Sequence, residues 1–232
     1  MDLNGPSHVT TLEDQLRLRC YMKIFSDRLL LLAIATVAAC VAGLAAQATE
    51  RLAIDPAAST VTLQAGKSGA LSFAGHSHEI VAPVSDGEIA LDRLDISRSR
   101  ISIRFDAKAL KVTGKGEPAG DVAEVQQVML SDRVLGVQRF PVISFTSRTI
   151  SVTKRSGDRI TLQVAGDLAL HGVTRPLTLP VNVQLMPDQI RADGSAVVRQ
   201  TEFGMQPVKA GGGAVRVKDE VGVMFSVVAR RQ

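Results

Sequence analysis

Few side chains of this chain could carry chemistry. His76-Ser77-His78, with Glu79 beside the pair and His171 far along the sequence, is its one constellation of metal-ligating types. On a strand an H-x-H pair puts both imidazoles on one face, and a third ligand from a neighbouring strand would complete a zinc-type set, with hydrolysis as the chemistry to consider. The competing reading is histidines at strand ends that hydrogen-bond loop backbone or solvent. Parity favours the second. If Phe73 points inward, His76 and His78 point outward unless Gly75 makes a bulge, and His171 is out of phase with Leu170. No metal site is therefore assigned, and His171 is expected to hold a turn. Nucleophilic catalysis finds no support either. No G-x-S-x-G elbow exists, and Ser72 and Ser144 sit within strand patterns with no organised base. Gly211-Gly212-Gly213 lacks the Lys-Ser/Thr and helix of a phosphate loop and reads as a hairpin tip at a barrel mouth. The chain is read as having no catalytic residues and as no enzyme.

The elements that would position any site begin late in the chain. Met22 to Arg28 is a short, partly basic stretch, followed by the apolar run Leu29 to Leu44 and the small-residue site Ala46-Gln47-Ala48. That order is the layout of a secretory signal, and the run is shorter than the ~20 residues of a spanning helix. Residues 1–48 are thus expected to be removed, with Met22 a candidate true start, leaving 49–232 as one exported, periplasmic or secreted domain. A second route stays open: Val37-Ala38-Ala39-Cys40 has the form of a lipobox, which would anchor the protein through Cys40. Loss of residues 1–48 removes both cysteines, and equal numbers of acids and bases, so the net charge stays at +4. Disulfides, thiolate chemistry and Fe–S clusters are thereby excluded from the domain. Mild, dispersed positive charge, with neither tyrosine nor tryptophan among residues 49–232 for base stacking, argues against nucleic acid.

From Leu52 onward the pattern is alternation. Val164, Leu168 and Leu170 share one parity, and Leu177, Leu179 and Val181 repeat it after His171-Gly172-Val173-Thr174-Arg175-Pro176, a greasy-faced hairpin with a glycine and a proline at its corner. Arg100 to Asp106 alternates without error, Ile101, Ile103 and Phe105 on one side. Val61 and Leu63, Leu71 and Phe73, Ile143 and Phe145, Ile160 and Leu162, Ile190 to Gln200, and Val221 to Val227 extend the theme, with Ser85-Asp86-Gly87 and Arg155-Ser156-Gly157-Asp158 read as turns. Between Pro118 and Phe140 the spacing becomes three to four, which predicts short amphipathic helix, Val122–Leu130 above all. About eight strands and one helical excursion specify an all-β antiparallel barrel. At eight strands the interior holds side chains or one slender ligand.

Gly166-Asp-Leu-Ala-Leu-His-Gly-Val-Thr-Arg-Pro176 closely resembles the hallmark G-D-L-T-x-H-G-V-T-K/R of the YceI-like proteins. Arg139-Phe-Pro-Val-Ile-Ser-Phe-Thr-Ser147, the opening Ile54-Asp55 with Ser59, and Phe203-Gly204-Met205 resemble further family segments, in family order, over most of residues 51–230. Leu52 replaces the usual aromatic before the opening, and Asp121 to Leu130 lacks the arginine and histidine of the family helix R-D-x-H-L. The resemblance implies a lipocalin-like barrel, secreted or periplasmic, that holds a polyisoprenoid, isoprenoid quinone or other long-chain amphiphile without covalent attachment and without a cofactor. The expected tunnel residues are Phe73, Ile101, Phe105, Phe145, Leu162, Val164, Leu168, Leu170 and Phe225, with Met129 beneath a helical lid formed with Val125 and Val128. Transport or storage follows as the role, with transient membrane contact, and monomer and homodimer both remain open. Two alternatives stand beside it: a metal protein using His76, His78 and His171, and a side-chain-filled barrel with a structural or stress role in the envelope.

Overall fold

The computed structural model describes residues 49–68, 77–118, 120–210 and 215–231. The expected run at Leu71 and Phe73, His76, and Gly211 to Gly213 lie outside these residues. Strands β1 (Thr49–Ile54), β4 (Val84–Asp92), β5 (Arg100–Asp106), β7 (Val142–Ser156), β8 (Arg159–Leu170), β9 (Val173–Leu185), β10 (Gln189–Arg199) and β12 (Val215–Arg231) pair antiparallel in that order. The ring closes where Leu52, Ala53 and Ile54 of β1 pair with Arg231, Arg230 and Ala229 of β12. This is an antiparallel eight-stranded barrel with one short helix, the class that alternation predicts. Closure leaves Leu52 and Ala229 with no exposed surface, and it pairs β1 with β12 where an open sheet would leave two free edges.

β12 is longer than one barrel wall needs. Its remaining length, Arg216 to Ser226, pairs with β2 (Thr60–Ser68), which pairs with β3 (His78–Val81) and through it with β6 (Lys111–Val112). The short β11 (Lys209–Ala210) also lies on β12. The chain turns from β1 into β2 at Asp55, whose carboxylate accepts from the amides of Ala57 and Ala58 while the Ser59 hydroxyl donates to the Asp55 carbonyl. The helix α1 (Val122–Leu130) covers the edge at β6. Gln126 of α1 accepts from the Val112 amide at 2.8 Å and donates to the Leu110 carbonyl at 2.9 Å, so one side chain replaces a missing strand partner.

The two ends of the barrel differ. At one, the β7–β8 and β9–β10 turns meet, with the Leu185 amide on the Asp158 carbonyl at 2.8 Å. Glu50 clamps this end: its carboxylate takes Arg93 and Arg231, each at 2.7 Å, and Arg93 also donates to the carbonyls of Met186 and Pro187. At the other end lie α1, the segment 131–141 and the β8–β9 turn.

Three local readings need correction. Ser85-Asp86-Gly87 is not a turn but part of β4, where the register against β5 shifts between Val84 and Asp86. A bulge accommodates the same small and polar residues that favour turns. The corner between β8 and β9 is tighter than the motif suggests, only His171 (φ 52°) and Gly172 (φ 75°) between the paired Leu170 and Val173. Two positive φ angles are what a two-residue hairpin of matching twist requires, and a Cβ on Gly172 would stand 2.4 Å from the Phe140 ring. Pro176 lies inside β9, as does Pro180. Both are tolerated because β9 pairs with β10 only from Val181 onward, so the first half of β9 has a free edge on that side.

Candidate functional site

The barrel is not filled by its own side chains. A cavity of about 520 Å³ runs through it, within the range of small-molecule sites. Every wall strand contributes through the alternation described above, since residues two apart on a strand face the same way. Ile101 and Phe105 of β5, Phe145 of β7, and Val164, Leu168 and Leu170 of β8 all line it, and so does Phe225 of β12. Met129, Val125 and Val128 of α1 close it from the end opposite the Glu50 clamp. Phe73 lies outside the described residues. Leu162 is the exception: it is buried at 4% exposure but does not reach the cavity. It sits nearer the β7–β8 turn than Val164.

Two of the phenylalanines owe their place to glycines. Phe145 lies over Gly166 of β8, where a Cβ would stand 2.6 Å from its ring and 2.4 Å from the Thr146 carbonyl oxygen. Phe225 lies over Gly194, its register partner on β10, with a Cβ there 2.5 Å from the ring. The missing side chains let the rings lie down along the wall. Standing upright, they would take up cavity space.

The polar residues of the lining gather at the helical end. Strand register puts the end of β2, the start of β3, the start of β12 and the residue after β10 together there, and they supply Lys67, His78, Arg216 and Gln200, while α1 supplies Glu124. His78 therefore points inward. The parity argument had turned it outward from Phe73, but the frame is set by β3 itself, where His78, Ile80 and Ala82 share the cavity side. Its Nδ1 stands 3.1 Å from a carboxylate oxygen of Glu117, whose side chain is 1% exposed. The approach lacks hydrogen-bond geometry, and neither Glu117 oxygen has another hydrogen-bond partner among the described residues. Glu79, the next residue, faces outward to Gln64, Thr113 and Lys115.

His171 has a different role. Its Nδ1 is 3.0 Å from the Phe203 carbonyl, and its ring packs on Phe140 with centroids 4.6 Å apart, so it ties the β8–β9 turn to the short helical turn Gln200–Phe203. Arg175 donates to the Glu202 carbonyl of the same turn at 3.0 Å. His171 and His78 do not share a site: His78 lines the cavity and His171 does not. Among the described residues no three His, Cys, Asp or Glu side chains converge as metal ligands would.

A YceI-like domain model matches residues 52–229. The chain belongs to the YceI-like family. A UPF0312 protein of Shewanella denitrificans is 28% identical over 122 residues, covering 52% of this chain and 58% of that protein. Protein YceI of Salmonella arizonae is 29% identical over 94 residues, covering 40% and 42%. These alignments span about half the length of the curated relatives. Burkholderia cenocepacia BcnA superposes with a TM-score of 0.57 at 18% identity, covering 75% of this chain and 98% of that one. A polyisoprenoid binding domain from Saccharophagus degradans superposes at 0.54 with 13% identity, covering 78% and 98%. At such identities the likeness is one of fold.

In this YceI-like barrel, several cavity residues carry no sequence signal that alternation could have caught. Leu110 precedes a two-residue strand, Leu135 lies in a turn, and Met205 and Val208 follow the last short helical turn. Glu117 lies in the Gly114–Pro118 loop, where neither periodicity nor motif marks it.

Proposed function

We propose that this protein is a non-enzymatic binding protein that holds a polyisoprenoid, an isoprenoid quinone or another long-chain amphiphile in the barrel, for transport or storage after export. The observation that carries this reading is the cavity: about 520 Å³, walled by aliphatic and phenylalanine side chains, with its polar residues confined to one end. An apolar tail gains ~0.8 kcal/mol for each methylene it buries, so affinity should follow chain length. The relation in fold to a polyisoprenoid binding domain supports the ligand class. The sequence pattern over residues 22–48 supports export to the periplasm or beyond, with the mature domain starting near Thr49.

The test is native mass spectrometry on protein exported from its full-length gene and purified without detergent or histidine tag, followed by solvent extraction. The expected result is a polypeptide starting near Thr49 with a reproducible extra mass that extracts as one isoprenoid or acyl species. A bare polypeptide that takes up neither added prenyl alcohol nor long-chain quinone would refute the binding role and leave a structural one. A stoichiometric metal in the same sample would favour the histidine-based alternative.

A further inference from the structure

Building on the amphiphile-binding reading, we propose that His78 and Glu117 form its head-group site, with His78 Nε2 hydrogen-bonding an uncharged oxygen (a hydroxyl or a carbonyl) at the end of the bound chain. The cavity is apolar along its length and polar only at the helical end, so an amphiphile can lie in it in one orientation, head towards His78. His78 belongs to the wall, and its Nδ1 is buried, 3.1 Å from the buried Glu117 carboxylate. The other ring nitrogen, Nε2, makes no hydrogen bond to a described residue, and the side chain as a whole is 22% exposed. It is the atom left for a ligand.

Glu117 explains why the ring is there. A carboxylate with 1% of its side chain exposed and no hydrogen bond is costly unless it is paired or shares a proton. The described ionisable group it faces is His78 Nδ1 at 3.1 Å. Although the approach lacks hydrogen-bond geometry, a carboxylate that close electrostatically favours the ring proton on the facing nitrogen and so biases the far one. Glu117 is thus a positioning residue. The same pairing sets the charge of the ligand. Carboxylate and imidazole together can remain electroneutral, whereas an anionic head group on Nε2 would place a second negative charge across one ring from Glu117. Lys67, Arg216 and Glu124 share this end of the cavity, and the test therefore separates their effect from that of His78.

The experiment measures displacement of a fluorescent long-chain polyene from the full mature protein by geranylgeraniol, by the isoprenoid hydrocarbon of the same length, and by geranylgeranyl phosphate. Wild type is compared with H78F and E117Q. One hydrogen bond gives the alcohol an advantage over the hydrocarbon of about 3- to 10-fold in wild type. H78F should erase this alcohol-to-hydrocarbon ratio and E117Q should reduce it, whatever either does to hydrocarbon affinity itself, and circular dichroism with thermal unfolding shows that the variants are folded. An alcohol advantage that survives H78F would overturn the head-group site and leave the tunnel reading standing. A phosphate whose affinity depends on His78 more than the alcohol's does would overturn the uncharged class. If none of the three ligands displaces the probe from wild type, the binding role itself fails and the head-group site with it.

Discussion

An unfilled cavity in a closed barrel makes an unusual demand on a core substitution: a large residue should fit. Ala196 lies on the cavity side of β10, between Gly194 and Val198, opposite Val223 of β12. It stands in the part of the barrel where β9 and β10 have stopped pairing, so the wall beside it is not locked by a ladder. Ala196→Phe replaces a methyl by a benzyl group and places six further carbons in space that the proposed ligand would occupy. Each displaced methylene costs the ligand ~0.8 kcal/mol, about 5 kcal/mol in all if the tail cannot bend around the ring. Even with half of that recovered by rearrangement, affinity for a long-chain alcohol falls by about two orders of magnitude.

Stability should move the other way or not at all. Inserting a phenyl into a well-packed core costs typically ~1–3 kcal/mol, whereas filling an existing void recovers contacts its lining lacks. Calorimetry on delipidated protein should therefore show a melting temperature unchanged or raised, with binding lost in a displacement assay. A drop of roughly 4–10 °C, the consequence of overpacking by ~2–3 kcal/mol in a domain of this size, would mean that the space is not available. Unchanged ligand affinity in a folded variant would mean that the tail does not lie in the barrel. Either result refutes the argument.

Gly194→Ala should cost about 1–3 kcal/mol and tilt the Phe225 ring into the tunnel, because the new Cβ meets the ring at 2.5 Å and the Pro180 carbonyl oxygen at 2.6 Å; the checks are chemical denaturation and binding of the longest ligand, which should lose most. Glu50→Gln should lower stability by roughly 1–2 kcal/mol at neutral pH by loosening the closed end. The Arg93 guanidinium hydrogen-bonded to Glu50 holds its carboxyl below the ordinary value; partial burial opposes this, and Arg231 adds to it. A depressed carboxylate stabilises the fold fully above its unfolded value, near 4.5, and loses that contribution as pH falls through the folded one. The difference between wild type and the variant should therefore be constant from neutral pH to about pH 5 and shrink below it; a difference that persists at pH 2 would show that the effect is packing rather than charge. His171→Phe should weaken the joint between the β8–β9 turn and Phe203 while leaving ligand affinity within about twofold, since the ring lies outside the cavity and its one bond is worth about 1 kcal/mol; thermal unfolding and the displacement assay separate the two effects.

What could be read from the chain, and what could not, follows from how each residue is held. Arg100 to Asp106 announces its facing by itself, because a strand between two neighbours has one buried side and the period of two is unbroken. The hairpin around His171 and the helix Val122–Leu130 are legible for the same reason: their patterns are local. His78 was not legible, because parity was carried to it from Phe73 across Gly75, and a frame carried through a glycine is worth no more than the assumption that the strand runs straight. Leu162 shows a different limit. Alternation says which side of the wall a residue faces but not how deep it lies, and depth decides between a cavity wall and a solid floor. Glu117 shows a third. Its partner stands 39 residues earlier, on strand β3, so the pair exists only once β3 and the loop before α1 are brought together.

Depth is also what joins the fold to its use. One end of the barrel is sealed by Glu50, Arg93 and Arg231, and the other is covered by a nine-residue helix with no fully buried side chain. A helix of that length has little stability of its own and is held to the sheet by Gln126 at the β6 edge and by apolar contacts that also line the cavity. Of the two closures it is the one that can yield without unfolding the ring, so a ligand that enters at an end enters under α1. For the amphiphile proposed above, entering tail first, the polar group would be the last part to pass and would come to rest beside His78.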